Sequence, residues 1–319
     1  MDKKDEKILI ELIKNSRISM KQLGKRTGVS REVATYRVKK LMEEKIITDF
    51  YPIIDIEKLG YFKNGCWIQL KNADHKKERE FFTELVKNPF VTFVGSVVGK
   101  WNVAFDIISR DSTHLMEILK EIKYSGKSIV ENVLITNNTT EQEVFETKML
   151  GVKEHKKLIK KYPDIKLDNI DKRLLELLST NSRIEYVDLS KRLNLAANTI
   201  KYRIKKLESS GIIEGYTISV DFVKLGYEFY NVQIKIESDL IEGEIKNFLR
   251  NHIKVIYFYK YLGHENWDMD IGVLAKNSVE LREVILEIKN YLGTGIKIHD
   301  IYSSIDILKP NIAPKGVFE

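Results

Sequence analysis

Two lysine pairs stand 166 residues apart inside the same six-residue frame: Tyr36-Arg37-Val38-Lys39-Lys40-Leu41 and Tyr202-Arg203-Ile204-Lys205-Lys206-Leu207. An ammonium group is a compact point charge that suits a phosphate oxygen, and arginine and amide side chains can pair with base edges. Around the first pair, Ala34, Val38 and Leu41 recur at the spacing of one buried helix face. The opposite face then carries Arg31, Glu32, Thr35, Tyr36, Lys39 and Lys40. Only the first turns of such a helix reach base edges, which makes Arg31, Glu32 and Thr35 the candidate readers and Lys39 and Lys40 the candidate phosphate contacts. In the second frame Ile200, Ile204 and Leu207 form the core stripe, leaving Ala197, Asn198, Lys201, Tyr202, Lys205 and Lys206 outside. The phosphate-type residues are thus kept between copies while the base readers differ. Arg37 and Arg203 abut the core face and have two readings, phosphate contact or pairing with carboxylates of a neighbouring helix. Tyr36 and Tyr202 likewise pack either on sugar-phosphate or on the protein. The bland reading of each lysine pair is a solvated helix face.

Positioning these residues requires a short helical unit. Ile8, Leu9, Leu12 and Ile13 line one face of a first helix, Ser19 caps a second carrying Leu23, and Gly28 supplies a turn. Ser30 then caps a third helix reaching about Glu44, which completes a helix-turn-helix. Ile46-Ile47 and Phe50–Ile54 are expected to form a small wing.

The unit occurs twice. Asp5–Tyr61 aligns without a gap on Asp171–Tyr227, with 22 of 57 positions identical, including Asn15-Ser16-Arg17-Ile18 over Asn181-Ser182-Arg183-Ile184. A repeat of 166 residues is the length of a whole two-domain protein, so the chain reads as a tandem duplication. After each helix-turn-helix comes the order β-α-β-β-α-β, with strands at Gly65–Lys71, Val91–Val98, Val103–Ser109 and Val130–Thr136 in the first copy. The second copy repeats it at Tyr230–Glu237, Val255–Leu262, Met269–Ala275 and Ile296–Ser303. The fold class expected is α+β: two copies of a winged helix-turn-helix followed by a ferredoxin-like βαββαβ sandwich. The expected boundaries are 1–60 and 169–226 for the winged units, 61–140 and 227–319 for the sandwiches, and 141–168 for a helical linker. Thr140-Glu141-Gln142-Glu143 has capping-box spacing and is expected to start that linker helix, with Lys153–Lys161 as a charged stretch that Pro163 ends.

Composition narrows the function classes. Among 319 residues, 43% are hydrophobic and 31% charged, an ordinary globular balance. Uninterrupted apolar runs are far shorter than the roughly 20 residues of a membrane helix, and the charged start lacks a signal-peptide core, so a cytoplasmic protein with no membrane partner is expected. One cysteine, Cys66, permits no internal disulfide and no cysteine-based metal site, and reads as a small apolar strand residue. Residues 1–60 carry 14 Lys/Arg against 10 Asp/Glu, and residues 166–226 carry 11 against 8, so the two excesses of four and three make up the whole net charge of +7. An excess confined to the two helix-turn-helix segments fits a polyanion partner. No phosphate-binding glycine loop, nucleophile elbow or helical zinc motif is present, so neither a catalytic site nor a cofactor or metal is assigned. His264-Glu265-Asn266-Trp267-Asp268 is the densest polar cluster, and reads as a hairpin loop or as a ligand site in one copy. Asp106 and Asp270 stand amid apolar residues at corresponding strand positions, either facing outward or buried with shifted pKa values.

Taken together these residues resemble the Lrp/AsnC (feast/famine) transcription regulators. The second copy carries the match most fully, in Asp171, Leu174-Leu175, Asn181-Ser182-Arg183-Ile184, Leu189-Ser190, Arg203-Ile204-Lys205-Lys206-Leu207-Glu208 and Gly211-Ile212-Ile213. The first copy follows the same frame with Lys45 where the family has glycine. The resemblance implies a sequence-specific regulator of double-stranded DNA, self-association through the αβ sandwiches, and an amino-acid-type small-molecule effector. Effector contacts would then fall on the glycine loops at Gly99 and Gly263, where Asn102 and Asn266 stand at the family's aspartate spacing. Two copies in one chain would make a single polypeptide the counterpart of a homodimer. Two other readings stay open: an architectural DNA-binding protein, and a fused relative of the sirohaem decarboxylases, whose carboxylate-rich substrate would call on Arg79, Arg110, Arg250 and Arg282.

Overall fold

The computed structural model describes residues 1–71, 74–144, 166–237, 242–262 and 266–319. The chain divides into two compact units that are not the two sequence repeats: Met1–Tyr61 with Leu158–Asp221 and Ile312–Glu319, and Phe62–Lys157 with Phe222–Asn311. Like has joined like across the duplication.

In the first unit each copy supplies three helices and one strand. These are α1 Lys3–Lys14, α2 Met20–Thr27, α3 Arg31–Glu43 and β1 Ile47–Ile54, then α6 Asn169–Thr180, α7 Tyr186–Leu193, α8 Ala197–Ser209 and β6 Ile213–Val220. Asp2 caps α1 and Asp168 caps α6, the latter with a reciprocal capping box to Asp171. Between α2 and α3, Gly28 takes the left-handed conformation (φ 71°), and Asn194 does so at the matching place (φ 51°). Among the described residues neither copy forms a wing hairpin of its own. β1 instead pairs antiparallel with β6, from Ile47 opposite Val220 to Ile54 opposite Ile213. A lone strand leaves its backbone groups without partners, and the duplicate strand supplies them. The C-terminus also belongs here, not with the second sandwich. The turn Lys315–Phe318 buries Val317 and Phe318, Lys172 Nζ donates to Glu319 O at 2.6 Å, and Tyr61 OH donates to Gly316 O at 3.2 Å.

The contact between copies in this unit is reciprocal. Ser16 Oγ and Ser182 Oγ share a buried hydrogen bond of 2.8 Å, although 166 residues separate them. Ser16 N donates to Tyr216 O and Ser182 N to Phe50 O, at 2.9 and 2.7 Å. Arg17 donates to Ser182 O and Arg183 to Ser16 O. Each guanidinium lies over an aromatic ring, Arg17 over Tyr216 at 5.3 Å and Arg183 over Phe50 at 5.6 Å. A pseudo-two-fold axis therefore passes between Ser16 and Ser182.

The second unit holds both sandwiches, with the element order expected. The first contributes β2 Phe62–Leu70, α4 His75–Lys87, β3 Val91–Val98, β4 Val103–Ser109, α5 Ser112–Ser125 and β5 Val130–Val144. The second contributes β7 Glu228–Ile236, α9 Glu242–Asn251, β8 Val255–Leu262, β9 Met269–Ala275, α10 Ser278–Leu292 and β10 Ile296–Lys309. The two sheets close into one antiparallel barrel, ordered β10-β3-β4-β2-β5-β8-β9-β7. Closure depends on the last strand of each copy, which outruns its expected end. β5 continues through Thr140–Glu143 to Val144, where the capping box was expected to open a helix, and pairs there with β8. β10 continues past Ser303 to Lys309 and pairs with β3. With all eight of these strands paired on both sides, the barrel leaves no sheet edge open among the described residues. The expected linker helix at Lys153–Lys161 lies outside the described residues.

Each sheet packs its outer face on its own two helices: Phe81, Leu85, Ile118 and Ile122 in the first copy, and Ile245, Leu249, Val284 and Ile288 in the second. Cys66 joins the first of these cores at 1% exposure, and burial pushes its thiol up, as expected of an apolar strand residue. A separate cluster with Trp67, Trp101, Tyr261, Trp267 and Tyr302 draws on both sheets. Among the described residues no helix is long and apolar enough to cross a membrane.

Candidate nucleic-acid interface

Helices α3 and α8 present the residues singled out by type and spacing. Ala34, Val38 and Leu41 are buried in α3, and Ile200, Ile204 and Leu207 in α8. This fixes the outward faces. Arg31, Glu32, Thr35, Tyr36, Lys39 and Lys40 are exposed on one helix, and Asn198, Lys201, Tyr202 and Lys205 on the other. Tyr36 and Tyr202 keep 66% and 69% of their surface in solvent, so packing on the protein is not what they do. Thr35 Oγ1 donates back to Arg31 O at 2.8 Å, which leaves its lone pairs outward. The Glu32 carboxylate is held below its ordinary value by its own backbone N–H and the Ser30 hydroxyl, so it stays an acceptor. Lys39 and Lys40 make long i,i+4 contacts with Glu43 and Glu44, at 3.6 and 3.7 Å on the open surface. Exposed pairs of this kind are worth under about 1 kcal/mol and exchange readily for a phosphate.

Arg37 and Arg203 are a different case, and of their two readings the structure favours pairing with carboxylates of a neighbouring helix. Arg37 donates to Asp2 Oδ2 at 2.6 Å and Asp5 Oδ1 at 2.7 Å, and Arg203 to Asp168 Oδ2 at 2.8 Å and Asp171 Oδ1 at 2.7 Å. Each guanidinium ties α3 or α8 to the start of the first helix of its own copy. The Asp5 backbone N–H and the Arg37 guanidinium hold the Asp2 carboxyl down to about 2, and the Asp171 N–H and Arg203 lower Asp168 in the same way. Both arginines are therefore structural clamps. Lys206 is only half-buried, and lies 3.7 Å from the fully buried Asp171, so it shares the second clamp.

The two copies begin α3 and α8 differently. Ser30 Oγ accepts from Val33 N at 3.2 Å, whereas Ala196 at the matching place offers α8 no side-chain cap. The turn after the helix reverses the advantage. Lys45 is held at φ 55°, a conformation that costs a side-chain-bearing residue, and Gly211 takes φ 68° without strain.

The effector-type residues need one reassignment. Asn102 Oδ1 accepts from Leu70 N at 2.7 Å. Its counterpart in the second copy is Asp268, not Asn266: Asp268 Oδ2 accepts from Ile236 N at 2.9 Å. The loop between β8 and β9 is two residues longer than that between β3 and β4, which moved the aspartate away from the spacing read in sequence. Gly99 sits at φ 151° against Tyr302, and Gly263 lies outside the described residues, with His264 and Glu265. Asn266 is exposed. Among the described residues no group of three or more His, Cys, Asp or Glu side chains is placed to hold a metal.

Two sets of residues went unassigned in sequence. The Ser16-Arg17 and Ser182-Arg183 contacts carried a signal, since an identical polar block in both copies marks a surface where the copies meet. The barrel-lining Lys63, Asn231 and Tyr257 carried none, because their positions differ between copies.

Fold and exposed helix faces together define a paired winged helix-turn-helix DNA-binding protein. A winged helix-turn-helix DNA-binding profile matches residues 1–48 and 167–214, once in each copy. An uncharacterized HTH-type transcriptional regulator of Pyrococcus furiosus is 37% identical over 113 residues, covering 35% of this chain and 73% of that one. The regulator LrpB of Bacillus subtilis is 27% identical over 128 residues, covering 40% of this chain and 82% of that protein. The chain belongs to the Lrp/AsnC family of HTH-type transcriptional regulators, with the family unit present twice. Among solved structures, the siroheme decarboxylase NirDL superposes with a TM-score of 0.66 over 99% of this chain and 96% of its own, at 15% identity. That likeness is one of fold.

Proposed function

We propose that one chain is a sequence-specific regulator that reads two unlike half-sites of duplex DNA, with α3 and α8 as its recognition helices. The observation that carries this is the reciprocal Ser16–Ser182 contact with the β1–β6 pairing. It relates the two helix-turn-helix units as the subunits of a two-fold dimer are related, inside a single polypeptide. Arg31, Glu32 and Thr35 would contact base edges in one half-site, and Asn198 and Lys201 in the other. Lys39, Lys40 and Lys205, with Tyr36 and Tyr202, would fix the register on phosphates. Because the reader sets differ, the half-sites should differ too.

Substituting Lys39 and Lys40 together by alanine tests the assignment. Affinity should fall across all sequences, and the slope of log K against log salt should flatten by about 0.9 for each phosphate that is no longer neutralised. An unchanged slope would take these lysines out of the interface.

An effector response is part of the proposal only in outline: the backbone anchors made by Asn102 and Asp268 hold equivalent loops in the two sandwiches. The decarboxylase reading finds less support. Arg79, Arg110 and Arg282 are exposed and Arg250 is half-buried, on helices or their flanks, and none of them lines the interior cavity of the barrel. An architectural role would leave unused the difference between the two reader sets.

A further inference from the structure

The barrel interior holds a polar cavity that the DNA reading does not use. Its volume is about 40 Å³, room for about three waters, and its walls include Trp67, Phe93, Tyr257 and Tyr261. Asp106 and Asp270 both line it. They reach it from positions that do not correspond, contrary to the strand reading of the sequence. Asp106 lies opposite Gly65 in the β2–β4 register, and the residue matching Gly65 is Asn231, whose partner is Gly272. Asp270 lies two residues away, opposite Gln233. A Cβ at Gly272 would run into the Tyr257 ring, so no side chain can occupy the true match of Asp106.

The two carboxylates have opposite situations. Asp106 is neutralised by Lys63 at 2.7 Å, and that ammonium also lies over the Tyr259 ring at 5.1 Å. Asp270 has no such cation among the described residues. Its Oδ2 accepts from Asn231 Nδ2 at 3.0 Å and from the hydroxyls of Tyr257 and Tyr302 at 3.3 Å each, from β7, β8 and β10. Its Oδ1 is buried with no hydrogen-bond partner among the described residues. Gln233 is 1% exposed and its Nε2 is equally unpartnered. Of the charged groups around the cavity, Lys63 and Asp106 cancel, and an ionised Asp270 remains uncompensated. A buried carboxylate oxygen without a donor is costly, and aromatic faces around it attract a cation.

We propose that this cavity binds a small organic ammonium ion, which donates an N–H to the Asp270 carboxylate and lies against the surrounding aromatic rings. The aromatic rings that share the walls with these oxygens favour an organic cation over an alkali ion, and the volume limits the ligand to one or two carbons. Burial lifts Asp270 to about 7, with the Asp106 charge adding to the rise. The ammonium requires the carboxylate, so binding strengthens as pH rises through this value and releases a proton below it. The site stands apart from the DNA reading and needs no DNA to be tested.

The test is isothermal titration of the full chain with methylammonium and ethylammonium chloride at pH 6, 7 and 8, against matched potassium chloride. Saturable binding is expected, tightening about tenfold from pH 6 to pH 8 as the ionised fraction of a group with pKa 7 grows. Methanol and ethanol, of matching size but uncharged, should not bind, and Asp270→Asn should abolish binding while circular dichroism stays native. No saturable binding at pH 8 would overturn the proposal and leave a water-filled cavity. Binding that ignores pH, or that survives Asp270→Asn, would overturn it as well. Should that variant fail to fold, the pH profile and the comparison with the uncharged alcohols on the natural chain decide alone.

Discussion

The duplication has run in opposite directions in the two units. In the helix-turn-helix unit the contacts between copies and the arginine clamps have twins: Ser16 with Ser182, Arg17 over Tyr216 with Arg183 over Phe50, Arg37 on Asp2 and Asp5 with Arg203 on Asp168 and Asp171. In the barrel unit the matched positions have drifted apart. Lys63 answers to Phe229, Gly65 to Asn231, Trp67 to Gln233, Ala104 to Asp270 and Asp106 to Gly272. On the proposed reading, a duplex that is itself nearly two-fold holds the contacts between the copies to symmetry and leaves the readers free to vary. A cavity shared by both copies carries no such constraint. One residue from each matched pair is enough to line it, and the other is released to do something else.

Asp270 gives the largest expected effect, because its folded value of about 7 lies above the ordinary 3.8. The folded state then holds a proton that the unfolded chain loses between those values. Stability from this group is full below about pH 4, falls as pH rises toward 7, and is level above it. Three pKa units correspond to about 4 kcal/mol. Denaturant unfolding of the natural chain and of Asp270→Asn should show a difference in stability that changes by about this amount between pH 4 and pH 7. A constant difference would mean that Asp270 titrates as an ordinary carboxylate, and the contrast between the units would lose its main support.

Smaller effects would sharpen the contrast within the helix-turn-helix unit. Lys45→Gly relieves a positive φ that Gly211 meets without strain, and should stabilise by about 1 kcal/mol. Ala196→Ser gives α8 the cap that α3 already has in Ser30, and should contribute about 1 kcal/mol. Thermal unfolding checks both. If each copy accepts its twin's residue with a gain, the units are interchangeable in their local chemistry. A loss in either would show that the copies have specialised there.

Much of this was legible in the sequence. The constant offset exposed the duplication, apolar spacing at Ala34, Val38 and Leu41 fixed which way α3 faces, and β3, β4, β8 and β9 fall at their expected bounds. What escaped depends on pairing between distant segments. The single strands β1 and β6 read as parts of local wings because alternation does not name a partner strand. The long ends of β5 and β10 look polar, since they leave their own sandwich to meet the other. Arg37 is a cation on a helix face whether it meets a phosphate or Asp5, and only the approach of α1 decides. Asp106 and Asp270 seemed equivalent because the two-residue insertion before Asp268 is invisible until the β4 and β9 registers are compared.

The central claim is that a single chain reads two different half-sites. Binding the purified protein to a pool of random duplexes at two salt concentrations, and sequencing the bound fraction, tests it most directly. The expected result is one enriched site with two unlike halves, centred roughly 10 bp or a multiple apart, bound more tightly at the lower salt. Two identical halves would contradict the division of readers between α3 and α8, and salt-sensitive binding with no enriched sequence would contradict specific reading altogether.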